Sequence, residues 1–523
     1  MYVLVLFVSS LSLSTAYAQS KVQANGSDLA FSQVVTTDDS GYIISGTIGN
    51  DGLLLKIDSL DSVTWGSSFG RWGLSENLID VIQTQDGGFI ATGEYTVGYQ
   101  SNGITPTAID IFVVRTDGSG NMLWNTQINK VASGLYTAGS IIELSDGGFM
   151  ITAQSTWGST INPVVVKINS IGDVVWMREI SSDLGHYMGI NKIQEVDSNQ
   201  FILSGAIGDG FSGNWDIIAI WTDAQGNLIR NRLVDFTNTD VPTDIEGLDD
   251  GGFIISGWST TNTMNLTKIN SVGDVEWAYK YSAPLQEGFL SIKGVDDGIL
   301  LGCEVYNDDI GAEKYLCIFK IDFDGSILWT KGYGDLDEND TRLNGITELG
   351  DKSIVAVGFV EYLSGEYSGY IINADSIGNT ICPEYVINLV KDTLTYLNDS
   401  TPLQSISRTA LEHDYATVQV NINGFVKQGC VITDIESVNG NEDYAPFKLV
   451  PNPMTDQTVI RIEGNSSMYY KIKVFDTMGR VISEINNVSS GTIIERKSLP
   501  SGIYYVRLYA ANVPSLARKL LVQ

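Results

Sequence analysis

Short apolar runs alternate with turn residues along most of the chain, and the alternation itself repeats. The phrase Asp322-Phe323-Asp324-Gly325-Ser326-Ile327-Leu328-Trp329 has close variants ending at Trp65, Trp124, Trp176 and Trp277, and degenerate ones ending at Arg230 and Cys382. Seven positions before each end stands Asp58, Asp117, Asn169, Asp223, Asn270, Asp322 or Asp375, and four positions before stands Gly120, Gly172, Gly226, Gly273, Gly325 or Gly378, with Asp61 as the exception. Asp or Asn opening a turn, with Gly three later, is the chemistry of a type I turn with a left-handed exit. It joins two apolar runs, such as 111–115 and 122–124, into a hairpin. Upstream, Asp86-Gly87-Gly88, Asp146-Gly147-Gly148 and Asp250-Gly251-Gly252 sit between further apolar runs, 78–83 and 89–93 for the first of them, and predict a second hairpin. Each unit therefore holds four strands, and the seven ends lie 47 to 59 residues apart. Helical periodicity is convincing nowhere. Four strands repeated at that period predict an all-β fold with a seven-bladed β-propeller over residues 19–382.

The tryptophans have a structural reason to recur. A blade must bury both faces, and a flat indole on its last strand fills the gap to the next blade; Trp65, Trp124, Trp176, Trp277 and Trp329 are read as blade-packing residues. The phrase resembles the tryptophan-docking motif of quinoprotein-like propellers and the Asp-Gly-Gly-Phe repeats of secreted Bacteroidetes proteins. The vicinal cysteine pair typical of quinoprotein dehydrogenases is absent. The likeness therefore implies packing rather than a cofactor.

The two kinds of short turn are nearly constant, whereas the connections between them vary. In an up-and-down propeller the variable connections emerge on one face. They carry Trp72, Tyr95, Tyr99, Tyr136, Trp157, Tyr187, Phe211, Trp215, Tyr306, Tyr333 and Tyr362, with Trp258 at a strand end. Aromatic residues on loops around a rigid scaffold form a candidate platform for glycan or protein ligands, chiefly Trp72, Tyr95, Tyr136, Trp157, Tyr187, Trp215, Trp258, Tyr306 and Tyr333. The alternative is that they cap the blades and pack on one another.

Residues 383–445 break the pattern and read as a polar connector with brief strands such as 417–422. From Phe447 the charge changes sign: 446–523 carries a net +5, leaving −36 for the rest of a chain whose total is −31. This segment holds Pro451-Asn452-Pro453, an apolar-Asp-x-x-Gly-Arg turn with Asp476, Gly479 and Arg480, the strand Gly502-Ile503-Tyr504-Tyr505, and a final strand with Lys519. Alternation between Pro and Gly turns predicts a small immunoglobulin-like β-sandwich. The four motifs in this order resemble the type A C-terminal sorting domain of the Bacteroidetes type IX secretion system. The resemblance implies recognition by the outer-membrane translocon and sorting machinery, and a protein that is secreted or held on the outer cell surface. At the other end, the apolar runs 3–8 and 11–13 precede Ala16-Tyr17-Ala18, which reads as a Sec signal peptide over residues 1–18. No later apolar run has the roughly 18 residues of a transmembrane helix.

The acidic field disfavours nucleic acid and anionic lipid. Two histidines, His186 and His413, leave little from which to build a triad or a multi-histidine metal site. Gly66-Ser67-Ser68-Phe69-Gly70 matches a nucleophile-elbow string, but it follows a hairpin strand and leads into no helix. The cluster Asp335-Leu336-Asp337-Glu338-Asn339-Asp340 is the one calcium candidate; it lacks the glycine and distal glutamate of an EF-hand loop and reads as a solvated acidic loop. Carboxylates are numerous enough to leave a glycosidase-type pair open. No catalytic residue and no resident cofactor is expected. The reading is a non-enzymatic surface binder, with a polysaccharide hydrolase or a structural adhesion component as alternatives. Four cysteines in an exported chain permit disulfides, Cys303 with Cys317 and Cys382 with Cys430; buried thiols are the alternative.

Overall fold

A computed structural model describes residues 19–24, 28–70, 74–99, 106–130, 135–157, 160–182, 187–197, 199–208, 215–235, 240–259, 263–282, 285–307, 313–333, 340–361, 367–380, 390–393, 397–399, 403–408, 410–413, 418–421, 425–429, 447–450, 454–462, 470–475, 481–496, 499–510 and 513–522. Among them every regular element is a strand, and no helix long and apolar enough to cross a membrane occurs. The chain divides into a larger unit, built from residues 19–379 and 383–427, and a smaller one centred on 428–523.

The larger unit contains seven antiparallel sheets in which successive strands are neighbours, the second and third of them joined by a single parallel pairing of Leu135 with Ile109. In the first sheet the order is Leu29–Thr36, Tyr42–Ile48, Asp51–Ile57 and Val63–Gly70. The pattern recurs over 75–130, 135–182, 187–235, 240–282 and 285–333. The second and third strands are apolar on both faces, so Ile43, Ile44, Leu53, Leu54 and Leu55 are all fully buried. They read as continuous hydrophobic runs because sheets cover them on both sides. The seventh sheet has three strands of its own, Asp340–Glu348, Ile354–Glu361 and Tyr367–Ala374. Its fourth strand is Gln19–Ala24, with Gln19 opposite Ile372 and Val22 opposite Gly369. The sequence pattern places that strand before Cys382. The structure takes it from the other end of the unit, and Cys382 lies outside the described residues.

Each first strand packs on the first strand of the next sheet, and that of the seventh packs on that of the first. All seven carry a β-bulge at the same level, for example between Phe31 and Gln33, Leu78 and Asp80, and Leu343 and Gly345. A bulge leaves one residue unpaired and locally disrupts the ladder to the second strand. There the Thr92-Gly93 step explains itself, because a Cβ on Gly93 would overlap the Asn77 carbonyl oxygen. The bulges also turn polar groups toward the adjacent first strand. Asn191 donates to the Pro242 carbonyl at 2.9 Å, and Asn344 donates to the Phe31 carbonyl at 2.7 Å, which ties the seventh sheet to the first.

At the turn end, each indole lies on the turn glycine of the following sheet. Trp65 covers Gly120, Trp124 covers Gly172, Trp176 covers Gly226 and Trp329 covers Gly378, so closely that a Cβ would strike the rings. Trp277 instead stacks on Tyr279 and donates its indole N–H to the Phe323 carbonyl at 3.2 Å. The turn glycines are left-handed, as Gly120 is at φ 80°, and Asp61 adopts the same conformation at φ 61°.

Residues 390–429 do more than connect. They add a fifth strand to one sheet after another, in the reverse of chain order. Val390–Thr393 pairs with the fourth strand of sheet five, Leu397–Asp399 with sheet four, Leu403–Arg408 with sheet three, Ala410–His413 with sheet two and Val418–Asn421 with sheet one. Phe425–Gly429 then follows Gln19–Ala24 in the seventh sheet. Of these seven sheets, among the described residues, the sixth alone has four strands.

The smaller unit has a three-stranded sheet, Phe447–Val450, Gln457–Ile462 and Ile493–Glu495, and a four-stranded one, ordered Val481–Val488, Tyr470–Phe475, Gly502–Ala510 and Val513–Val522. They share one core, with Met454, Ile460, Ile472, Val474, Val506 and Leu520 fully buried.

Candidate functional site

Two ends of the seven-sheet array have different chemistry. At the turn end, five sheets repeat one device. A Lys or Arg on the third strand, its stem buried, reaches an exposed Asp in the first turn: Lys56 to Asp39 at 2.8 Å, Arg115 to Asp86 at 2.5 Å, Lys167 to Asp146 at 2.6 Å, Lys268 to Asp250 at 2.8 Å and Lys320 to Asp297 at 2.5 Å. At Asp39, burial pushes the carboxyl up, but hydrogen bonds from Lys56, Thr37 and the Gly41 amide outweigh it and hold its pKa at about 2. Asp86 is held down first by Thr84, and Asp146, Asp250 and Asp297 first by their lysines. A cleft of about 400 Å³ opens here between sheets six and seven. Its charges are already paired, Lys320 with Asp297 and Lys352 with Asp296 and Glu348.

The cation always stands nine residues before the tryptophan and directly opposite it, as Lys56 faces Trp65 and Lys167 faces Trp176. In sheet four the pair is inverted, with Trp221 on the third strand and Arg230 on the fourth. The fully buried Trp221 still fills the slot against Gly273 of sheet five, and the Arg230 guanidinium lies 4.4 Å over its ring. The repeat that reads as degenerate in sequence is thus a swapped one.

Along the first strands, Asp80, Lys192 and Asp244 gather from sheets two, four and five. Asp80 accepts from the Ile141 amide at 3.1 Å and Asp244 from the Ile292 amide at 3.0 Å, each on the next first strand. Lys192 stands 3.9 Å from Asp244. Burial opposes its charge, yet the fields of Asp80, Asp244 and Glu246 overcome that and raise its pKa. Burial raises the pKa of Asp244, with Lys192 pulling it back.

The loop end separates the aromatic candidates. Tyr187 and Trp215 flank Gly208 in one cross-strand row of sheet four, half-buried, with ring centroids 6.4 Å apart at 67°. Trp258 stands at the corresponding edge of sheet five with 36% of its surface exposed. Three candidates are corrected: Tyr95, Tyr136 and Tyr333 are buried, at 3%, 2% and 0% exposure. The reason is strand length. Phe89–Tyr99 and Leu135–Glu143 reach further than the sequence pattern implies, so Tyr95 packs on Phe112 and Tyr136 enters the core between sheets two and three. Tyr333 donates its hydroxyl to the Gly378 carbonyl at 2.7 Å. Trp157 and Tyr306 end strands, but their side chains, like Trp72, lie outside the described residues. Sequence reasoning missed Phe359, 5.4 Å from Tyr367, with Arg342 over its ring at 5.8 Å in sheet seven. Their positions beside a variable connection were the available signal.

Carboxylates at the loop end of sheet two have amide partners. Asp110 accepts from Gln127 at 2.6 Å and Asn129 at 3.0 Å, and Glu94, whose pKa burial raises, interacts with Asn77. Among the described residues no group of three His, Cys, Asp or Glu side chains is placed to hold a metal. The acidic run 335–339 lies outside them, as do Cys430, Pro451, Asn452, Pro453, Asp476, Gly479 and Arg480. Cys303 and Cys317 are both fully buried and carry no bond between their sulfurs in this structure. Gly502 and Lys519 lie on adjacent strands of the smaller unit, and the buried Tyr504 donates to the Pro500 carbonyl at 3.0 Å.

Residues 448–523 match the family of secretion system C-terminal sorting domains. The chain carries a type IX sorting tail. It is therefore exported by the type IX machinery, to the cell surface or beyond it. No curated protein matches the chain in sequence. Among solved structures it is similar to the polysaccharide lyase Uly1, at 10% identity and a TM-score of 0.41, over 65% of this chain and 89% of the lyase. It is also similar to a protein of unknown function from Dyadobacter fermentans, at 10% identity and a TM-score of 0.39, over 69% of this chain and all of the other. Neither likeness is close enough to carry an argument about activity.

Proposed function

We propose that the seven sheets are the blades of a β-propeller, that the sorting tail is an immunoglobulin-like sandwich, and that the exported propeller binds a glycan or protein ligand through its loop end without chemical turnover. The propeller reading is supported by the ring of contacts between first strands and by the indole of one sheet seated on the next. The binding reading rests on one observation, the Tyr187–Gly208–Trp215 row of sheet four with the exposed Trp258 on sheet five. The two rings are half-buried and meet edge to face across the glycine, and strands on either side hold them. An aromatic surface with polar tips suits the C–H faces of sugar rings, and equally an aromatic or proline side chain. The turn end, by contrast, is filled with ion pairs that already satisfy one another.

A glycan array, paired with a hydrolysis screen on the same polysaccharides, tests this on the secreted chain. Binding without turnover is expected, and Trp215→Ala or Trp258→Ala should weaken it about tenfold or more, about 1.4 kcal/mol. Turnover that disappears with Glu94→Gln would favour the hydrolase instead. Capture of neither glycan nor peptide would leave a structural surface component.

A further inference from the structure

We propose that Cys303 and Cys317 are joined by a disulfide in the exported protein. They stand directly opposite each other on Gly298–Asn307 and Glu313–Ile321, the two middle strands of the sixth sheet. Both are fully buried in the core shared with sheet five, and the two thiols are hydrogen-bonded to each other. Opposed residues of an antiparallel pair hold their Cβ atoms about 4.5–5.5 Å apart. A disulfide needs about 3.5–4.5 Å, so a small approach of the strands suffices. The sorting tail takes the chain out of the reducing cytoplasm, into compartments where such bonds persist.

The bond forms by exchange with a protein disulfide of the envelope. One thiolate attacks the carrier's disulfide to give a mixed disulfide, and the other then attacks the chain's own sulfur. The chain gains one S–S bond and the carrier loses one, and the two protons and two electrons given up by the chain's thiols end on the carrier as its dithiol. The timing follows from burial. Desolvation, and then the neighbouring Cys317, push the Cys303 thiol far up, so the folded core holds no thiolate to react. Oxidation belongs to the interval when the 298–321 hairpin has formed and sheet five has not yet covered it. The sixth sheet is also the one without a fifth strand among the described residues, so a covalent tie between its middle strands falls where the array has least edge support.

The test is alkylation of secreted Cys382→Ser/Cys430→Ser chain, unfolded in urea without reductant and weighed intact. No adduct is expected, and two after reduction; two adducts without reductant would overturn the proposal. If that variant is not secreted, non-reducing digestion of the wild-type chain gives the same answer: recovery of the 303 and 317 peptides as one linked species supports it, and recovery as separate thiol peptides sinks it. Chain folded fully reduced should remain unoxidised in the presence of an oxidised carrier. Rapid oxidation from that state would overturn the stated timing.

Discussion

The inversion in sheet four shows that two residues share one job. A cation and an indole face each other across the third and fourth strands, and either strand can carry either group provided the indole reaches the next turn glycine. Four positions change together in the sequence. Where Trp221 replaces the cation, the turn that elsewhere supplies Asp86 has Ser198, and the position of Gly88 holds Gln200. Gly88 is needed where a cation passes, because its missing Cβ makes room for the Arg115 guanidinium. Trp221→Lys alone should empty the slot on Gly273 and cost about 3–5 kcal/mol, as other large core truncations do. Trp221→Lys/Arg230→Trp with Ser198→Asp and Gln200→Gly rebuilds the common arrangement and should recover most of that loss in urea unfolding. Equal instability of the single and quadruple variants would show that the two strands are not interchangeable. The spacing of nine residues was legible from the start, as Lys56 to Trp65 and Trp221 to Arg230; reading only the final tryptophan concealed it.

Turns and strands differ in how much of themselves they write into sequence. The two hairpins of each sheet were plain because Asp, Asn and Gly are required there by backbone geometry, and Asp117 indeed accepts from the Ser119 and Asn121 amides at 2.9 Å. The fifth strands were not legible beyond a hint at 417–422. Adding a strand to an edge uses main-chain hydrogen bonds, which any residue but proline can supply, so no side-chain signature marks it. The buried Tyr95 and Tyr136 were misread for a related reason, since nothing in composition says where a strand stops. The belt makes its own prediction. Ile406 is paired with Glu179 on the edge of sheet three, and Ile406→Pro should speed amide exchange in Leu403–Arg408 and Val174–Ser182 together. Exchange in Ile327–Tyr333, which has no added strand among the described residues, should not change. Unaltered protection of Val174–Ser182 would mean that the added strand does not shield it.

For the whole molecule the decisive quantity is charge. Five turn-end carboxylates titrate below their ordinary range in the folded state, Asp39 at about 2. A depressed folded pKa contributes stability that is fully present above the unfolded value, about 3.9, and is lost as pH falls through the folded one. Asp244 and Glu94 work in the opposite direction, because burial raises them and acid relieves their cost. Protonating the net −36 of residues 1–445 also relieves repulsion. The ladder's share is therefore read by difference. Between about pH 4 and pH 2 the urea midpoint of the native chain should fall more steeply than that of Asp39→Asn, and parallel curves would remove the ladder from acid sensitivity.

The strand Gln19–Ala24 has one more consequence, and it concerns time. Its partner is Tyr367–Ala374, about 350 residues later in the chain, so the first strand to emerge from a translocation pore must wait for nearly all the rest. Closing so long a loop is slow relative to forming local hairpins. The fifth strands run backward, so sheet one receives Val418–Asn421 later still. Folding can begin in any hairpin, but the seventh sheet is completed only from both ends of the larger unit. A chain halted before residue 367 would leave six sheets, the first two strands of the seventh, an unfastened N-terminal strand and a row of open edges.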